Sequence, residues 1–256
     1  AMIFDSHAHY DDAAFDNDRD DLIRRLFNAD VCGIINVGCN IQTSKASMDL
    51  ARRYPLIWAA VGVHPQEADS VPPHYLDILS SFLAEKKVVA VGEIGLDYHY
   101  DKPSREIQKA KFEEQVKLAK TLDVPVIIHD RDAHADTLEI LKKYEPKGVV
   151  HCFSGSVEMA TEVVNLGMYV GLGGVVTFKN AKNPVLVAKS VPLDRILLET
   201  DCPYLAPEPN RGSRCDSSMI KFTAEKVAME RGISVEELLR CAKENALRLF
   251  SKISVK

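Results

Sequence analysis

Short apolar runs rich in β-branched residues recur along the chain, without polar alternation, and most are followed by a longer stretch with helical spacing. They occupy residues 3–4, 31–37, 56–61, 88–92, 124–128, 148–150, 168–172 and 195–200. A strand that is apolar at every position suits a parallel sheet covered on both faces, where no solvent side demands alternation. Parallel neighbours need long crossovers, and the helical stretches supply them. The stretch from Ser104 to Leu122 places Phe112, Val116 and Ala119 on one face, as a helix lying on a core would. Ser234-Val235-Glu236-Glu237 has the form of a capping box opening a last helix.

Eight such units in 256 residues predict an α/β fold, a (β/α)8 TIM barrel spanning residues 1–256 as one domain. An open doubly wound sheet is the alternative, but its polar strand ends would gather near one switch point. Here they recur on five runs. His7 and His9 follow the first run, Glu93 the fourth, His129 the fifth, His151 the sixth and Asp201 the last. In an extended chain, side chains two apart point the same way, so His7 and His9 present two imidazoles to one point. In a barrel all six residues fall at the C-terminal ends of the strands, where such folds carry their active sites. Imidazoles and carboxylates converging there have the chemistry of a metal centre. A lone histidine in any of these positions reads equally as a core residue bonded to backbone.

Composition narrows the class. The chain is 46% hydrophobic and 27% charged, with no run approaching membrane-spanning length and no signal peptide or transit segment. Its six cysteines form no C-x-x-C pair, which points to free thiols in a reducing compartment, the cytoplasm. The net charge of −5 and the absence of a Lys/Arg run argue against a grip on long duplex DNA. Any nucleic-acid contact then falls to metals and a few cations at the barrel mouth. No membrane association and no obligate protein partner is expected.

Six ordered blocks carry a family resemblance. Asp5-Ser6-His7-Ala8-His9, Gly62-Val63-His64-Pro65, Gly92-Glu93-Ile94-Gly95-Leu96-Asp97-Tyr98, Ile128-His129-Asp130-Arg131, His151-Cys152-Phe153-Ser154-Gly155 and Glu199-Thr200-Asp201-Cys202-Pro203 resemble the TatD family of metal-dependent deoxyribonucleases, across nearly the whole chain. The resemblance implies two divalent ions, Mg²⁺, Mn²⁺ or Zn²⁺. His7, His9, Glu93 and Asp201 would hold one, and Glu93, His129 and His151 the other, with Glu93 bridging. It implies a water-activated cleavage of DNA from single-stranded or frayed 3′ ends, with Asp201 and Glu93 as catalytic carboxylates and His64, Arg131 and Ser154 toward substrate. Arg131 has a second reading as a partner of Asp130 or Asp132, and His74, His99 and His134 read as surface or support residues. One departure stands out: residues 211–218, Arg-Gly-Ser-Arg-Cys-Asp-Ser-Ser, replace the usual continuation after the last strand. Two rival functions use the same elements. An amidohydrolase-type esterase, lactonase or deacylase would direct these metals at a carbonyl carbon, and a non-catalytic binding protein would use them structurally.

Overall fold

The computed structural model describes residues 2–100 and 102–254. The apolar runs become eight parallel strands, paired in chain order from β1 to β8. They are β1 (Ile3–Ala8), β2 (Val31–Val37), β3 (Ile57–Val61), β4 (Val88–Asp97), β5 (Val126–Arg131), β6 (Gly148–Val150), β7 (Tyr169–Leu172) and β8 (Ile196–Leu198). Between them lie α1 (Arg19–Asn28), α2 (Ile41–Arg53), α3 (Tyr75–Leu83), α4 (Arg105–Leu122), α5 (His134–Tyr144), α6 (Val157–Asn165) and α7 (Lys182–Ser190). After β8 come α8 (Ile220–Arg231) and α9 (Val235–Leu249). The architecture is a (β/α)8 barrel.

Two apolar layers hold it together. The larger lies between strands and helices and includes Phe112, Val116 and Ala119, on the α4 face anticipated from their spacing. The smaller draws on every strand, through Phe4, Ile35, Trp58, Val89, Ile127, Val149, Tyr169 and Leu197, and therefore fills the barrel interior. Ala246, Leu249, Phe250 and Ile253, from the end of α9 and the turn after it, join this inner cluster and close it at one end. Ser104 caps α4 by accepting from the Ile107 amide, and Ser234 caps α9 by accepting from Glu237.

Three strands run further than their apolar runs, and β1 extends through His7 to Ala8. β4 and β5 stay paired through Ile94↔Ile128, Gly95↔His129, Leu96↔Asp130 and Asp97↔Arg131, so Glu93 and His129 sit inside strands rather than after them. The close approach needs Gly95, at φ +146°, because a Cβ there would collide with the His129 carbonyl. β8 is shorter than its run: Glu199 and Thr200 leave the ladder.

The barrel closes between β1 and β8. His9 N–H donates to Cys202 O at 2.9 Å and Asp201 N–H to His7 O at 2.8 Å, while Ser6 Oγ donates to Leu198 O at 3.2 Å. Beneath this seam Asp5 is fully buried and accepts from the His7 and Thr200 amides and from the Thr200 and Ser217 hydroxyls. Burial raises its pKa to about 6, with those four donors holding it from rising further. We predict that Asp5→Ala, which strands these donors in a dry site, costs about 2–3 kcal/mol. In a chain of this size that lowers Tm by roughly 5–10 °C; an unchanged melting curve by calorimetry would show that the seam does not depend on Asp5.

Candidate metal centre

At the barrel mouth the structure gathers the six predicted ligands around one carboxylate. Glu93 is 4% exposed. Its Oε1 lies 3.3 Å from His7 Nε2 and 3.7 Å from His9 Nε2. Its Oε2 lies 2.8 Å from His129 Nδ1 and 3.1 Å from His151 Nε2. Asp201 Oδ1 approaches the first pair, 3.0 Å from His9 Nε2 and 3.4 Å from His7 Nε2. One oxygen of Glu93 therefore faces each half of the cluster.

Hydrogen bonds behind the imidazoles fix which nitrogen faces inward. His9 Nδ1–H donates to Val37 O at 2.8 Å, leaving Nε2 toward the site. His151 Nδ1–H donates to Glu199 Oε1 at 3.1 Å, again leaving Nε2. His129 is turned the other way: its Nε2–H donates to Asp97 Oδ2 at 2.9 Å, so Nδ1 faces Glu93. Such outer acceptors orient ligating histidines and raise their basicity. His7 is stacked on His151 with ring centroids 3.7 Å apart. It is fully buried, and among the described residues neither of its ring nitrogens has a hydrogen-bond partner. A buried imidazole left without a partner beside two carboxylates is costly in an apolar core, and a cation between those groups would satisfy it. The donor set fits divalent ions: nitrogen and oxygen ligands suit Zn²⁺ or Mn²⁺, and carboxylates also accept Mg²⁺.

The proton balance agrees. Burial opposes charge on His9 and on His129. Yet Asp201 and Glu93 around the first, and Asp97 and Glu93 around the second, outweigh it and raise both to about 9. His151 is likewise held well above its ordinary value by Glu199 and Glu93. Glu93 resists the upward push of its own burial, because His151, His7 and His129 keep it far below the usual carboxylate range.

The residues expected toward substrate divide. His64 joins the cluster, its Nε2 3.7 Å from Glu93 Oε2 and its ring 4.4 Å from that of His129. Burial lowers its pKa to about 4, so it is neutral. Its Nδ1 accepts from the Gln66 amide at 3.1 Å, which places the ring proton on Nε2, pointing into the site as a donor. Arg131 and Ser154 line a cavity of about 480 Å³ that opens beside His129, His151 and Asp201. The expected competitors for Arg131 are engaged elsewhere: Asp130 bonds His134 at 2.6 Å, and Asp132 lies 3.4 Å from His99. His74 precedes α3 without capping it through its side chain.

Three residues of the centre had not been singled out. Asp97 and Glu199 orient His129 and His151, and Cys39, after β2, places its thiol 3.9 Å from Glu93 Oε1. Asp97 had a signal in spacing, since it stands four residues beyond Glu93 on the same face of β4, whereas Glu199 lies past the end of β8, close to Asp201 with its φ of +64°, where alternation does not apply. Cys39 had none.

Residues 4–251 match the family model of the TatD related DNases. The chain belongs to that family. YabD, an uncharacterised metal-dependent hydrolase of Bacillus subtilis (strain 168), is 43% identical over 252 residues, covering 97% of this chain and 99% of the relative. The 3′-5′ ssDNA/RNA exonuclease TatD of Salmonella typhimurium is 32% identical over 259 residues, covering 98% of this chain and all of the relative. The crystal structure of YJJV, a TatD homologue from Escherichia coli, superposes with a TM-score of 0.91 at 32% identity over 98% of each chain. The protein is thus a TatD-family metal-dependent hydrolase, and no described helix is long and apolar enough to cross a membrane.

For a TatD-family centre built this way, metal uptake and proton release are linked. His9, His129 and His151 carry protons at neutral pH when no ion is bound, and an ion needs the inward nitrogens bare. We therefore predict that binding of Zn²⁺ or Mn²⁺ at pH 7 releases more than one proton per chain, and that affinity weakens as pH falls below about 9. Calorimetry in two buffers of different ionisation enthalpy reads the proton count; a count of zero would contradict these ligands.

Proposed function

We propose that this TatD-family hydrolase removes nucleotides from the 3′ end of single-stranded DNA, cleaving phosphodiester bonds with two divalent ions held on either side of Glu93. The observation that carries the reading is the split of Glu93, with Oε1 toward His7 and His9 and Oε2 toward His129 and His151. A carboxylate shared in this way can bridge two cations and offset their repulsion. His7, His9 and Asp201 would complete one ion's ligands, and His129 and His151 the other's. When bound, the ions supply positive charge against the phosphate and lower the proton affinity of water.

The chain's own groups do the rest. Asp201 keeps Oδ1 on the His7–His9 side and offers its other oxygen to the proton of the attacking water. His64 donates its Nε2 proton to a non-bridging phosphate oxygen, and Arg131 adds charge at the rim. Tyr100 and Tyr204, 56% and 53% exposed, present faces on which bases can stack. Because His7 and Glu93 lie almost wholly below the surface, only a strand end threads a scissile phosphate to them. The 3′ polarity draws on the exonuclease relative of Salmonella typhimurium. The apolar wall of the cavity, through Phe153, Val175, Pro184 and Leu205, favours a second reading, hydrolysis of an acyl ester.

A 5′-labelled oligonucleotide assayed beside a panel of esters, with and without chelator, decides between them. The nuclease reading expects a metal-dependent ladder shortened from the 3′ end; turnover of esters alone would overturn it. Asp201→Asn keeps an oxygen donor but cannot take the proton, so kcat should fall by ~10²–10⁴-fold with at least one ion still bound. Recovery of wild-type kcat at saturating Mn²⁺ would reduce Asp201 to a ligand. Arg131→Ala should raise KM for the oligonucleotide far more than for a small phosphodiester, and equal effects on both would remove it from strand binding.

A further inference from the structure

We propose that the 5′-ward part of the substrate strand leaves the active-site cavity over the first turn of α7 and lies in a lysine-lined groove beyond it. The inference rests on the single-stranded nuclease reading and extends the site past the scissile phosphate. The groove, of about 670 Å³, is lined by Lys179, Lys182, Lys189 and Lys226, and none of its lining residues is acidic. Lys226 is committed to Glu230 at 3.0 Å, whereas Lys179, Lys182 and Lys189 are exposed. In a chain of net charge −5 this is a local reversal of sign, and a polyanion approaching the barrel is drawn to such a patch.

The groove carries more than charge. Phe178 and Leu186 line it beside the lysines, and Leu186 is 48% exposed. Arg211 covers the Phe178 ring with its guanidinium carbon 3.9 Å from the centroid, a flat cationic surface on which a base can stack. Arg211 opens the segment that departs from the usual family pattern. Alternating cations and stacking surfaces are what single strands bind without sequence preference.

The groove and the active-site cavity are lined by neighbouring positions of one segment. Val175 and Pro184 form a wall of the active-site cavity, while Phe178, Val185 and Leu186 form the near wall of the groove. Residues 175–186 thus contribute to both depressions, with Pro184 lining one and its neighbour Val185 the other. A strand whose terminal phosphate sits at Glu93 would pass over this shared segment to place its next phosphates among the lysines.

The test uses the metal-loaded enzyme and the triple variant Lys179→Glu, Lys182→Glu, Lys189→Glu. Fluorescence anisotropy follows binding of a nuclease-resistant phosphorothioate oligothymidylate of roughly 15 nucleotides, from about 50 to about 200 mM salt. Kd should rise at least about tenfold and the slope of log K against log salt should flatten by about two, the loss of three single-strand phosphate contacts. Binding of a dinucleotide, too short to pass over this segment, and turnover of bis(p-nitrophenyl) phosphate should be unchanged. If wild-type enzyme binds the phosphorothioate probe and shortens the unmodified oligothymidylate of the same length but the variant keeps its affinity and salt slope, the groove is not the track and the nuclease reading stands. If wild-type enzyme neither binds the probe nor shortens the unmodified strand, the nuclease reading falls and the groove with it. Should the charge reversal impair bis(p-nitrophenyl) phosphate turnover, the corresponding Lys→Gln triple replaces it under the same criteria.

Discussion

The seam between β1 and β8 is the constraint on which the rest of this molecule depends. A barrel needs its first and last strands to meet, and here the closing bonds run from His9 to Cys202 and from Asp201 to His7. Three of the residues whose backbones close the sheet, His7, His9 and Asp201, also send their side chains into the centre. Asp5 supports both, tying the His7 amide to Thr200 and to Ser217, nearly the whole chain length away. Barrel closure and the approach of Asp201 to His7 and His9 are therefore one event.

Above the seam, ionisable groups are kept dry by being arranged against one another. Each oxygen of Glu93 meets imidazoles, three of those imidazoles are braced from behind by Val37, Asp97 and Glu199, and His7 is left with open nitrogens. Bracing costs the fold little, since each outer acceptor is itself a strand or strand-end residue. It also leaves the inward nitrogens with no rotational choice, the preorganisation a metal centre needs. His64 stands apart in this set because the Gln66 amide occupies the nitrogen that faces away, so it enters the site as a donor and not as a lone pair.

Net charge misleads about where such a protein can hold a polyanion. The negative total of the chain is an average over a surface on which Lys179, Lys182 and Lys189 meet Lys226, and Arg211 meets Phe178. These residues are scattered over nearly fifty positions, so no basic run betrays them.

The run-by-run pattern was enough to read eight strands, the barrel and the six residues that cluster at its mouth, because each ligand candidate breaks an apolar run at its C-terminal side and a barrel brings those ends together. Local patterning also located α4 through its apolar face and α9 through its capping serine. It misplaced the ends of β1, β4, β5 and β8, since ladder pairing such as Ala8↔Asn36 or Asp97↔Arg131 depends on the neighbouring strand and not on apolarity. The tautomers of the histidines, the thiol of Cys39 beside Glu93, the burial of Asp5 and the lysine groove came only with folding. Each is a meeting of residues far apart in the chain, and distance in space between such residues is set by packing, which no local pattern of polarity encodes.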